Sequence, residues 1–107
     1  SRFLIIYTID IMPLDNKGKP ILYKPWISKA KNKKYSVYVK GDKIIHFGDK
    51  RYQHFKDKIG DYKSLDHNDP VRRKSYLARA KGIKNKQGEL TWKDKNTANY
   101  WAVRVLW

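Results

Sequence analysis

The sequence predicts an α+β fold: a small β-hairpin followed by two helices, a ββαα-like domain, behind an extended N-terminal strand and arm. Three observations predict it. "YSVYVKGDKIIHF" (35–47) is a pair of β-rich runs around Gly41-Asp42. "DPVRRKSYLARAKG" (69–82) opens on a helix cap and closes on a glycine. "NTANYWAVRVLW" (96–107) spaces apolar residues as a helix does. The chain of 107 residues has room for one small domain. It divides into an N-terminal strand and basic arm, 1–34, and a compact part, 35–107.

Phe3, Ile5, Tyr7, Ile9 and Ile11 alternate with Leu4, Ile6, Thr8, Asp10 and Met12, the pattern of a strand. Both faces are apolar from Phe3 to Ile6, which suits a central strand or pairing between molecules. From Met12 to Lys34, Pro13, Pro20 and Pro25 oppose helix and central-strand pairing, and lysine recurs. Two readings stand. In one, an extended arm docks on a partner through Phe3, Ile5, Ile21, Leu22, Tyr23, Trp26 and Ile27, with Lys29, Lys31, Lys33 and Lys34 facing an anion. In the other, the segment is a long loop packed on its own domain.

In the hairpin, Gly41 suits the first position of a two-residue type II′ turn. That loop sets Val39 opposite Ile44, Tyr38 opposite Ile45 and Val37 opposite His46. One face then carries Tyr35, Val37, Val39, Ile44 and His46, and the other Tyr38, Ile45 and Phe47. The stretch that follows leaves room for a short helical piece between Arg51 and Ile59. A helix is expected over Pro70–Lys81, with Asp69 as N-cap, Pro70 in the first turn and Gly82 as the stop. Its apolar residues form only narrow strips. It should therefore pack shallowly and expose Arg72, Arg73 and Arg79. The last helix, capped by Asn96 or Thr97, turns Ala98, Trp101, Ala102, Val105 and Leu106 toward the hairpin. Arg104 falls between Tyr100 and Trp107 on its opposite side, a cation–π spacing. Trp101 and Trp107 read as core residues, not as platforms for bases.

Charge narrows the partners. The chain holds 25 Lys+Arg against 10 Asp+Glu, a net charge of +15. The excess is uneven: +6 over residues 1–34, +1 over 35–69 and +8 over 70–107. Such a field points to an anionic partner. The candidates are Arg72, Arg73, Lys74, Arg79 and Lys81, then Lys84, Lys86 and the arm lysines. They lack an evident base-reading pattern, so contact with the phosphate backbone of DNA or RNA is expected. The competing class is a structural protein of a particle, in which the arm threads between larger proteins.

Other classes recede. The absence of cysteine excludes disulfide scaffolds and thiolate zinc sites and fits an intracellular setting. No stretch approaches the length of a membrane span. The opening "SRFLIIYTIDIM" is broken by Tyr7, Thr8 and Asp10 and lacks a cleavage pattern, so no signal peptide is expected. A His/Asn/His nuclease built on His46 and Asn68 would need a second histidine on the following helix, and none lies between Arg72 and Lys81. His67 with Asp66 and Asp69 could hold a cation, but capping and turn formation explain that cluster more simply. With no phosphate loop and no carboxylate pair of the right kind, no catalytic residue, metal, cofactor or small-molecule substrate is expected.

"KKYSVYVKGDKIIHFGDKRYQHFKDKIGDY", "LDHNDPVRRKSYLARAKGI" and "DKNTANYWAVRVLW" carry a resemblance over residues 33–107. They resemble a family of small basic proteins encoded by giant and other large double-stranded DNA viruses and by some tailed phages. That family has a histidine just after the arginine matching Arg79, where this chain has Ala80. The resemblance implies a viral setting: a virion component, present inside the host cell during assembly. The expectation is a non-enzymatic minor capsid or internal virion protein, touching capsid neighbours and genome. A free-standing, sequence-nonspecific nucleic-acid-binding protein is the alternative.

Overall fold

The two β-rich runs pair with a register one residue away from the expected one. In the structure, a computed structural model that describes residues 12–107, β2 (Lys33–Val39) and β3 (Lys43–Asp49) are antiparallel. Tyr35 lies opposite Phe47, Val37 opposite Ile45 and Val39 opposite Lys43. The connection is Lys40-Gly41-Asp42, with Gly41 at φ +87° and Asp42 at φ +57°, so a two-residue type II′ loop does not describe it. A one-residue slip moves every β3 side chain to the other face. Ile45 and Phe47 thereby join Tyr35, Val37 and Val39, and Ile44 and His46 take the far side. Burial explains the choice, because Phe47 comes to lie almost wholly inside, its ring 5.7 Å from that of Tyr35.

A third strand, β1 (Trp26–Ile27), pairs antiparallel with β2, giving the sheet order β1-β2-β3. Residue 34, the boundary expected between arm and compact part, lies within β2. Further back, the chain turns on itself. Leu14 bridges to Pro20, and the Asp15 carboxylate accepts the Lys17 and Lys19 amides. Tyr23 donates its amide to the Tyr38 carbonyl and its hydroxyl to Asn96, and its ring stacks on Trp101. Around Tyr23 the segment packs on its own domain, and Trp26–Ile27 join the sheet. Tyr23, expected to dock on a partner, faces inward, while Leu22 and Ile27 remain about half exposed. Phe3, Ile5 and the strand expected around them lie outside the described residues.

Helix α1 (Pro70–Ala80) starts as its sequence requires. Asp69 accepts the amides of Val71 and Arg72, and Pro70 occupies the first turn. It ends one residue early. Gly82 does not adopt a left-handed conformation, and the last turn closes instead through the Lys81 and Gly82 amides on the Leu77 and Arg79 carbonyls. Only Ala80 of this helix is buried, so the packing is as shallow as expected. With so little tertiary support the cap matters: Asp69→Ala should cost about 1 kcal/mol, read as a lower urea midpoint at unchanged slope.

Helix α2 (Ala98–Val105), capped by Thr97, completes the core. Ala102, Val105 and Leu106 pack on Tyr35, Val37, Val39 and Phe47, with Trp101 and Trp107 at the margin. No helix forms between Arg51 and Ile59. The amides of His54, Lys56 and Lys58 there reach Leu65, Leu106 and Val105, so the segment is stitched to distant chain and cannot close its own turns. A single 3₁₀ turn, Lys63–Leu65, precedes α1. Among the described residues no helix is long and apolar enough to cross a membrane.

Candidate functional site

Arg72, Ser75, Tyr76 and Arg79 recur at helical spacing, so one side of α1 carries both arginines. That side faces the end of β3 across a cleft of about 500 Å³, whose other wall includes Lys34, Gly48, Asp49, Tyr52 and Gln53. Leu106, Trp107 and Val71 add apolar surface. The Trp107 ring stacks on Tyr76 at 4.0 Å, and Arg73 donates to the Trp107 main-chain oxygen at 2.8 Å while lying over Phe55. Arg73 thus clamps α1 to the end of α2, a structural task beside the anion contact expected of it.

The cleft is cationic. Its acid, Asp49, is gripped by Arg51 through two hydrogen bonds of 3.0 and 2.7 Å, which hold its carboxyl down to about 2. Arg72 donates across the cleft to Gln53 at 2.9 Å. The Arg79 side chain has no hydrogen-bond or ion-pair partner among the described residues. Away from the cleft lining, Lys74 on the opposite side of α1 and Lys84 and Lys86 beyond the helix are exposed, and Lys81 is exposed with its ammonium 4.9 Å from the Trp92 ring centre. Lys29, Lys31 and Lys33 are exposed near the β1–β2 turn. Arg104 lies over Tyr100, 4.4 Å from its centre, but its other expected neighbour, Trp107, is taken by Tyr76.

Lys34 departs from expectation. Read as a surface contact for an anion, it is 2 % exposed. Its ammonium donates to the Tyr52 carbonyl at 2.9 Å and to His54 Nδ1 at 2.8 Å. That bond leaves the His54 proton on Nε2, which donates to Asp66 at 2.5 Å. Burial pulls the Lys34 pKa down against the pull of Asp49, Asp57 and Asp66. Burial and then the Lys34 charge pull His54 down as well, so the ring is held neutral. Beneath lies a buried acid. Asp57 accepts the Tyr35 hydroxyl at 2.5 Å and the Ile59 and Tyr62 amides, and its own amide donates to Asp66. Sequence alone offers no sign of this Lys34–His54–Asp66 chain. Strand-terminal lysine ordinarily faces water, and here the 50–66 segment folds over it.

The "HNDP" cluster is a cap and turn. His67 Nδ1 accepts the Asp69 amide at 2.9 Å, its ring packs on Trp107, and its buried Nε2 has no partner. His46 is bonded to Ser36 and Ser28 on the sheet. Among the described residues no group of three or more acids or histidines is placed to hold a metal ion.

Fold and surface together define a small α+β protein with a cationic helix beside a walled cleft. The chain belongs to a family of unknown function, DUF5754, whose model matches residues 26–80. The match runs from β1 to the end of α1 and takes in Lys34, Arg72, Arg73, Lys74 and Arg79; α2, Lys81, Lys84 and Lys86 lie beyond it. No curated protein and no solved structure matches the chain.

Proposed function

We propose that this chain is a non-enzymatic protein that contacts nucleic-acid phosphates through α1 and the loop after it, as a minor capsid or internal component of a virus particle. One observation carries the phosphate contact. Among the described residues, Arg51 is the only lysine or arginine paired with a carboxylate. Arg72, Lys74, Arg79, Lys81, Lys84 and Lys86 stand on neighbouring turns without that compensation, so their mutual repulsion is relieved by an external anion. The particle setting rests on the resemblance over residues 33–107. A free-standing nucleic-acid-binding role is the second reading, favoured by the inward turn of Tyr23, which leaves less apolar surface for capsid neighbours.

Binding should be sequence-nonspecific and steeply salt-dependent. With about five or six phosphates of a duplex neutralised, log K against log salt should fall with a slope of about −4.5 to −5.4. Arg72→Ala with Arg79→Ala should flatten that slope by about 2. Fluorescence anisotropy with a labelled oligonucleotide from low to moderate salt measures both. Affinity indifferent to salt would remove the phosphate reading. Quantitative mass spectrometry of purified particles separates a virion component from a free-standing one.

A further inference from the structure

The cleft between α1 and β3 contains more than a phosphate-binding surface requires. Backbone contact with a duplex needs only cations on an accessible face, because its bases are stacked out of reach. Here Arg72 and Arg79 stand at a cavity of about 500 Å³, within the range that accommodates a small organic group. Its walls combine cations with Val71, Tyr76, Leu106 and Trp107. Two of its apolar side chains are unusually open to solvent: Val71 is 74 % exposed and Tyr52 is 64 % exposed. Neither serves the core. The acid in the cleft, Asp49, is already neutralised by Arg51, so the field at the cavity stays positive. Paired cations with an aromatic and apolar lining are what an unpaired nucleotide needs, one part for its phosphate and one for its flat base.

We propose that this cleft binds one unpaired nucleotide of a single-stranded nucleic acid, its phosphate held by Arg72 and Arg79 and its base against Tyr52 and the apolar wall. The inference rests on the phosphate-contact reading and adds to it the strandedness of the partner. A carboxylate from an acidic protein would satisfy the arginines and leave Tyr52 and Val71 without a role.

The test compares a thymidine 12-mer with a duplex of equal phosphate count, by anisotropy at one salt concentration, on the full chain. Tyr52→Ala, in an exposed side chain, should weaken the single strand by about fivefold or more and the duplex by less than about twofold. Arg79→Ala should weaken both. Lys84→Ala with Lys86→Ala, outside the cleft, should weaken both by the same factor. Far-UV circular dichroism establishes that each variant is folded. Tyr52→Ala leaving both affinities unchanged overturns the inference and spares the surface reading. Neither polymer binding overturns both. Polyglutamate binding that depends on Arg79 and not on Tyr52 also overturns it, since the occupant would then be a carboxylate.

Discussion

Gly48→Ala should destabilise the protein by about 2–4 kcal/mol, the sum of backbone strain and overpacking. Gly48 sits at φ +75°, where an alanine is strained. A methyl there would lie 2.7 Å from Leu106 Cδ1 and 2.9 Å from Lys34 Cδ. Neither neighbour can retreat cheaply. Leu106 is packed into the core at 1 % exposure, and Lys34 is held at its ammonium by Tyr52 and His54. The measurement is a urea or thermal transition, where the melting temperature should drop by roughly 10 °C or more. A loss under about 1 kcal/mol would mean that the β3 end relaxes freely and that the cleft wall is soft.

Asp57→Ala should cost about 3–5 kcal/mol, because it strips the acceptor from a buried hydroxyl and at least two amides at once. Asp57 is 1 % exposed and takes the Tyr35 hydroxyl together with the Ile59 and Tyr62 amides. Asp57→Asn, which keeps one oxygen acceptor, should lose less. The same carboxylate shapes acid unfolding. Burial works to raise its pKa, but the bonds from Tyr35 and the surrounding amides outweigh it and bring it below the usual carboxylate value. Its folded pKa is thus depressed. The stability it contributes is present above the unfolded value of about 3.9 and is lost as pH falls through the folded one. His54 acts in an earlier window with the same sign. Its folded pKa is also depressed, so below about 6.5 the unfolded chain takes up the proton first and stability begins to decline. Urea midpoints between pH 8 and pH 3 should show both limbs. Asp57→Ala should flatten the lower one and His54→Gln the upper one; a parallel curve for either variant would contradict the assignment of that limb.

The helix starts were legible because capping is local. Asp69-Pro70 and Thr97 act on amides within three residues of themselves, and any sequence window that contains them contains the cause. The exposed arginines of α1 were legible for the same reason, since a helix with narrow apolar strips has little to bury. The hairpin's position was legible, but not its register. Gly41-Asp42 suits more than one turn, and the choice fell to the burial of Phe47 against Tyr35, a contact settled by the whole core.

Less of the candidate site could be read. Lys34 looks like any basic residue at a strand end until the 50–66 segment closes over it. His54, Asp57 and Asp66 are scattered polar residues until main-chain bonds draw that segment against the strand bearing Lys34 and Tyr35. Tyr52 and Val71, one in an irregular segment and the other in the first turn of α1, come together only at the cleft. By itself the sequence determined the α+β class, the helix N-caps, the shallow basic helix and the net positive charge, all consequences of residue type and short spacing. The tertiary structure alone decided the strand register, the burial of Lys34 and the cleft, because each depends on contacts between segments whose separation along the chain carries no local signal.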